Sequence, residues 1–121
     1  MNTPANLPNE NPEAEKTIRI RTLNDTFRAT FIGGRVMLTT GIQTLGIPNV
    51  QEVINKVKTF DDFTPDNDPH CEHDFGAFEH NDKNIFWKFD YYDETMTYGS
   101  EDASDPEQTT RVLTVMLAEE Y

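Results

Sequence analysis

The sequence predicts an α+β fold with a mostly antiparallel sheet of about four strands and three helices on one face, in the order α-β-α-β-β-β-α. Three observations predict this fold class. Apolar residues recur at steps of three and four in residues 17–32 and 48–60, as in amphipathic helices. After residue 74 they recur at a step of two, as in strands. The connections there are short enough for hairpins, which pair successive strands antiparallel.

The first helix and the first strand are predicted in residues 17–40. One apolar stripe marks the helix: Ile20, Leu23, Phe27 and Phe31. Gly33-Gly34 is expected to end it, because glycine readily stops a helix. Residues 36–40 then predict a short strand, since β-branched and apolar residues favour extended structure.

The second helix is predicted to begin at Pro48, because proline suits the first helical turn. Its apolar stripe consists of Val50, Val53, Ile54, Val57 and Phe60. A hairpin should follow, with strands over 75–80 and 85–92 joined by a turn at 81–84. One face of its second strand is the best candidate for the core: Ile85, Trp87, Phe89 and Tyr91. Residues 95–99 predict one more short strand.

The last helix is predicted from a capping pattern that begins at Asp105. Asp105 suits the N-cap, Pro106 the first helical position, and Gln108 stands three residues after the cap. The apolar residues that follow fit one helical stripe: Val112, Leu113, Met116 and Leu117.

The domain organisation follows from length and composition. The 121 residues suffice for one domain, predicted over residues 17–121. Residues 1–16 are rich in Pro, Asn and Glu and are predicted to form a disordered tail. No apolar run approaches the ~20 residues that cross a bilayer, and no export signal is visible, so we expect a cytoplasmic protein without membrane contact. The single cysteine, Cys71, agrees with a reducing compartment.

The charge of the chain is distributed unevenly. Residues 16–60 carry seven Lys and Arg against two Asp and Glu, whereas residues 61–107 carry fifteen Asp and Glu against two Lys. One interpretation is a solubilising surface, and the other is an acidic surface that meets a basic partner. Direct binding of nucleic acid is disfavoured in both cases, because phosphate neutralisation requires a surplus of Lys and Arg.

Five segments of the sequence resemble a known family. They are Leu23–Arg28, Gly33–Thr39, Thr64–Phe78, Ile85–Tyr92 and Thr110–Tyr121. Across residues 17–121 the chain resembles small acidic bacterial proteins that are catalogued only as a domain of unknown function. The resemblance implies a stand-alone cytosolic protein, often encoded on plasmids or other mobile DNA, and no assigned reaction.

Residues 66–74 raise the hypothesis of a metal site. In an extended segment, alternate residues would place oxygen and imidazole donors on one side. The candidate ligands are His70, Glu72, His73 and Asp74. An EF-hand is excluded, because Cys71 stands where its loop needs glycine. A thiol nucleophile at Cys71 is disfavoured, because a reactive thiol needs nearby cations or a helix N-terminus and Cys71 stands among carboxylates.

Two classes of function remain open from sequence. The favoured hypothesis is a protein-interaction or inhibitor protein that resembles nucleic acid in charge and docks on a basic surface of a bacterial defence or DNA-processing protein. The predicted contact residues are Asp61, Asp62, Asp66, Asp68, Glu72, Asp93, Glu94, Glu101 and Asp102. The alternative is a metal-binding module or metal-dependent enzyme centred on residues 70–74. No catalytic residue and no cofactor is predicted, so an enzyme is less expected.

Overall fold

A computed structural model describes residues 11–121 of the chain. The helices are α1 (Pro12–Thr30), α2 (Thr40–Gln43) and α3 (Ile47–Lys58), and the strands are β1 (Arg35–Leu38), β2 (Phe75–His80), β3 (Lys83–Tyr92) and β4 (Thr110–Leu117). A 3₁₀ turn, Ala118–Glu120, follows β4. Three helices and one four-stranded sheet confirm the predicted α+β class. No described helix is both long enough and apolar enough to cross a membrane.

The sheet is mixed and mostly antiparallel. Its strand order is β1-β4-β3-β2. The pairs β2–β3 and β3–β4 are antiparallel, whereas β1 runs parallel to β4. This parallel pair is possible because α2, α3 and the hairpin separate β1 from β4 in the chain, which provides the long crossover that parallel strands require.

The hydrophobic core lies between the helices and one face of the sheet. Odd-numbered residues of β3 and β4 point to this face, including Trp87 and Leu113, both fully buried. The helices contribute Phe27, Ile42 and Val53 to the same cluster. The helices therefore cover one face, as predicted, and the predicted core face of β3 is confirmed.

The hairpin packs closely because of Gly76, which lies opposite Trp87 in the β2–β3 register. A Cβ atom at this position would lie 2.3 Å from Trp87 Nε1. The indole ring occupies the space that any other side chain would need, so this position requires glycine.

Helix α1 begins earlier than predicted. Asn11 is its N-cap, and the Asn11 side chain accepts hydrogen bonds from the amides of Glu13 and Ala14 at 3.0 and 3.3 Å. Residues 12–16 of the predicted tail are therefore helical, because an Asn cap followed by Pro12 starts a helix efficiently. The rest of that predicted tail, residues 1–10, lies outside the described residues.

The predicted last helix is wrong: residues 110–117 form strand β4. Asp105 does accept from a following amide, that of Glu107, and from the Gln108 side chain, but these contacts close a single turn and are not a capping box. β4 lies between β1 and β3, and both of its faces contain buried residues. A strand that is apolar on both faces has no alternating pattern, so its apolar run also fits a helical stripe.

The predicted strand at residues 95–99 is also wrong. These residues form a turn, and only Gly99 makes an isolated bridge, to Tyr92. The Asp93 carboxylate accepts hydrogen bonds from the amides of Thr95 and Thr97, which curls the chain. The observed order is thus α-β-α-α-β-β-β, with the fourth strand at the position predicted for the last helix.

Candidate functional site

Two acidic segments meet at one end of the sheet. We name residues 61–74, which lead into β2, the first acidic loop, and residues 93–109, which join β3 to β4, the second acidic loop. Each loop carries six Asp and Glu and no Lys or Arg. Because β2 and β4 both run antiparallel to β3, both loops lie at the end where β3 finishes.

A buried polar network joins the two loops, with Asn24 of α1 at its centre. The Asn24 amide nitrogen donates to the Glu72 carbonyl at 3.0 Å and to the Tyr91 hydroxyl at 2.8 Å. The Asn24 amide oxygen accepts from Arg111 Nε at 2.8 Å. Arg111 Nη2 in turn donates to the Ala103 carbonyl of the second acidic loop. One fully buried side chain thereby connects both loops to the sheet.

Burial changes the ionisation of this network. Arg111 is 3% exposed, and burial lowers the pKa of its guanidinium from the ordinary value. Burial likewise raises the pKa of Tyr91 far above its ordinary value, so this hydroxyl keeps its proton and donates to Glu72 Oε1 at 3.0 Å. The Arg111 guanidinium lies over the Tyr91 ring, 5.2 Å from its centroid. The network therefore combines one buried cation with neutral partners that fix its position.

The first acidic loop is attached to α1 through His73. Its ring Nδ1 lies 2.9 Å from Asp25 Oδ1, and because an ionised carboxylate only accepts, Nδ1 carries the hydrogen. Its Nε2 lies 3.6 Å from Asp68 Oδ2 on the other side. The imidazole also stacks on Phe63 at 3.7 Å between centroids. His73 thus occupies a fixed place between two carboxylates and an aromatic ring.

Arg28 extends this attachment to α3. Its guanidinium donates to Asp25 Oδ1 at 3.2 Å and to the Val57 carbonyl at 2.8 Å, near the C-terminus of α3. It also lies over the Trp87 ring, 4.8 Å from the centroid. Burial lowers its pKa, and the cation is well placed beside the negative end of the α3 dipole.

Two carboxylates of the first acidic loop are partly desolvated. Burial raises the pKa of Glu72, whose carboxylate accepts from Tyr91, and burial also raises the pKa of Asp74. The Asp74 carbonyl accepts from the Phe89 amide at 2.9 Å and so extends the β2–β3 ladder. Both residues hold the loop against the sheet.

The second acidic loop uses its own acids to shape its turns. Asp93 Oδ1 accepts from the Thr95 hydroxyl at 2.8 Å, and this side-chain hydrogen bond is the main cause that lowers its pKa. Asp102 Oδ1 accepts from the Ser104 hydroxyl at 2.5 Å, which lowers the pKa of Asp102 in the same way. These ionised carboxylates remain in contact with water and stay charged over a wide pH range.

The predicted contact residues differ in exposure. The exposed ones are Asp61, Asp62, Asp66, Glu94 and Glu101, and the partly exposed ones are Glu72, Asp93 and Asp102. Asp68 is 5% exposed and accepts from the His73 amide at 3.1 Å, so its prediction as a surface contact is wrong. Its position before Pro69 gave no indication of this burial.

The four predicted metal ligands have separate surroundings. His70 is exposed, Glu72 is hydrogen-bonded to Tyr91, His73 lies between Asp25 and Asp68, and Asp74 is half-buried where β2 begins. Within residues 11–121, no three His, Cys, Asp or Glu side chains form a group that could hold a metal ion.

Sequence reasoning missed the residues that organise this end of the molecule. Asn24, Asp25 and Arg28 were placed on a helix, and Arg111 on the wrong element. One signal was available: Asn24 lies within the span of the apolar stripe of α1, beside Leu23. A polar residue in that place needs a buried partner, but sequence did not identify the partner.

Comparison with known proteins identifies a family. Residues 38–120 match the family described as "Protein of unknown function (DUF3768)". Because the match covers more than half of the 121 residues, the chain belongs to this family. The predicted resemblance to a domain of unknown function is thereby confirmed, whereas the predicted occurrence on plasmids stays a prediction. Neither the curated proteins nor the solved structures contain a match.

Proposed function

We propose that this member of the DUF3768 family is a protein-interaction or inhibitor protein that docks the acidic end of its sheet on a basic protein surface. The observation that carries the proposal is the junction of the two acidic loops at one end of the sheet through Asn24 and Arg111. Twelve Asp and Glu and no Lys or Arg occur in these loops.

The fixed geometry favours recognition over simple solubilisation. A loop backbone that is already ordered loses little entropy on binding, and a field of one sign accelerates encounter with an oppositely charged surface. The partner we infer is a bacterial protein whose basic groove normally holds DNA or RNA. Exposed carboxylates at Asp61, Asp66, Glu94 and Glu101 would take the place of phosphates.

Affinity capture from a bacterial lysate tests the proposal. The immobilised chain should retain nucleic-acid-binding proteins at ~50 mM salt, and added double-stranded DNA should release them. Retention should fall steeply towards ~300 mM salt, because exposed charges are screened within a Debye length of about 8 Å at physiological ionic strength.

A charge-matched pair of variants isolates the acidic end. The double variant Glu94→Lys with Glu101→Lys should lose retention. The control, Gln51→Lys with Glu52→Lys and Asn55→Lys, changes the net charge equally at three exposed residues of α3. Equal loss of retention in both variants would mean that only the net charge matters and would contradict the proposed acidic surface. Retention that is insensitive to DNA and salt would also contradict the proposal.

A further inference from the structure

The two edges of the sheet differ in how they are protected. β1 is four residues long, begins with Arg35, and its Leu38 carbonyl accepts from the Gln43 side chain at 2.7 Å. β2 is six residues long, and its first four residues, Phe75–Phe78, carry no charge. It pairs with β3 on one side only. A long neutral edge is the usual template for an added strand.

The backbone register identifies the free groups of β2. The Asp74 carbonyl accepts from the Phe89 amide, so even-numbered residues from 74 to 80 direct their backbone groups to β3. Phe75 and Ala77 therefore direct theirs away from the sheet. Lys56 Nζ reaches the Glu79 carbonyl from that outer side at 3.4 Å, which agrees with this assignment. Among the described residues, nothing hydrogen-bonds to the outward groups of Phe75 and Ala77.

A groove accompanies this edge on the sheet face that the helices leave open. It has a volume of about 290 Å³, and its lining includes Ala77, Phe78, Glu79 and Phe86. The small Ala77 side chain leaves room above the Phe86 ring. Phe86 is itself fixed by the rings of Phe75 and Tyr121, at 5.1 and 5.7 Å between centroids. The groove is thus preformed and fits one bulky apolar side chain.

The charges around the groove indicate a basic occupant. Glu79, Asp82 and Glu119 are exposed there, whereas two cations are near: Lys83 in the lining of the adjoining depression and Lys56 at the Glu79 carbonyl. The acids therefore outnumber the cations at this edge. A second copy of the chain is disfavoured, because each copy carries a net charge of −12.

We infer that the free edge of β2 binds an extended segment of a basic partner protein as a fifth strand. Backbone groups of the segment pair with Phe75 and Ala77. Its residue opposite Ala77 places a bulky apolar side chain in the groove on Phe86, and Lys or Arg two residues away pairs with Glu79. This site goes beyond the proposed function, since it uses backbone pairing at β2 and none of the exposed loop carboxylates.

A synthetic peptide provides the test: acetyl-Thr-Lys-Thr-Leu-Thr-Lys-Thr-amide, whose Lys residues flank Leu so that either strand direction is served. Titration into the ¹⁵N-labelled protein should shift the amides of Phe75 and Ala77 most, and should slow their exchange with solvent. The same peptide with Glu in place of Lys should bind at least about tenfold more weakly, a factor that corresponds to 1.4 kcal/mol.

Three variants complete the experiment. Ala77→Pro removes the outward N–H, which an edge strand tolerates, and should weaken peptide binding about tenfold, whereas Ala77→Ser keeps the N–H and should bind normally. Glu79→Lys should reverse the preference between the two peptides, and as a surface change it should leave the fold intact. Glu94→Lys with Glu101→Lys should leave peptide binding unchanged, and Ala77→Pro should leave DNA-sensitive capture unchanged.

Three results would overturn the inference. The first is an absence of amide shifts in β2 at ~2 mM peptide, a concentration at which even mM affinity would be visible. The second is a set of amide shifts confined to the two acidic loops, which would mean that the peptide binds there by charge attraction and does not pair with β2. The third is concentration-dependent self-association abolished by Ala77→Pro, which would make a second copy the occupant of the edge.

Discussion

In the first acidic loop, Glu72 is partly buried against Tyr91 and Asp68 is buried beside His73, and burial raises the pKa of Glu72. In the second, Asp93 and Asp102 accept hydrogen bonds from residues two to four positions further along the chain, and these bonds lower their pKa values. Two loops with the same number of acids thus use them differently. The comparison shows that an acidic residue counted from sequence can attract a partner only where the fold leaves its carboxylate in contact with water.

The largest effect is expected where both loops depend on one side chain. Asn24→Ala should lower the free energy of unfolding by about 3 kcal/mol, because Nε of the buried Arg111 guanidinium loses its acceptor. Urea unfolding gives the magnitude, and amide exchange should accelerate in both acidic loops. Thr22→Ala, at an exposed position of the same helix, is the control. Protection lost in one loop alone would show that Asn24 does not join them.

A smaller difference in stability is expected between variants of two acids in the first acidic loop. Asp68→Ala should cost about 1–2 kcal/mol, since the His73 amide loses its acceptor in a buried place. Asp66→Ala, two residues earlier and exposed, should cost within ~0.5 kcal/mol. Thermal unfolding of both variants side by side measures the difference. Equal costs would mean that the burial of Asp68 contributes nothing to the loop.

The opposite pKa directions of the loops give a pH prediction. Glu72 should titrate above its ordinary value of 4.5 and Asp74 above 3.8, whereas Asp93 and Asp102 should titrate below 3.8. Carboxyl ¹³C shifts followed by NMR measure all four. A single shared midpoint for the two loops would contradict the comparison.

The consequences for stability have opposite signs. A raised pKa means that the folded state binds the proton more tightly than the unfolded chain, so Glu72 and Asp74 reduce stability as pH rises through their folded values. The lowered pKa values of Asp93 and Asp102 add stability above 3.8 that is lost as pH falls through the folded values. Glu72→Gln should therefore raise the unfolding temperature at pH 7, and this gain should vanish in acid.

The fold class could be predicted from sequence because patterns of neighbouring residues determine most of its elements. The stripe of α3, the hairpin and the core face of β3 depend on neighbours in the chain, and all three are confirmed. β4 was mistaken for a helix because its pairing with β1 and β3 is non-local, and burial on both faces erases the alternation that marks a strand. Periodicity does not contain this information.

The candidate site could be predicted only in part, because its geometry also depends on contacts between residues that are distant in the chain. Composition located the acidic residues, but only the fold separates exposed Asp66 from buried Asp68. The Asn24–Arg111 hydrogen bond joins residues 87 positions apart, so no local pattern announces it. The number of acidic residues could therefore be predicted from sequence, whereas their exposure and their positions relative to one another could not.

The smallest effect on stability is expected from the solvated acids that the proposed function requires. Asp66→Lys in the first acidic loop and Glu94→Lys in the second should each change the free energy of unfolding by no more than ~0.5 kcal/mol, because both side chains are exposed. Each should nevertheless slow association with a basic partner, since the charges that guide encounter act before contact forms. The salt dependence of capture should weaken in both variants and weaken further in the double variant. If only the loop of Glu94 responded, the surface would consist of the second acidic loop alone, and the first would serve the fold.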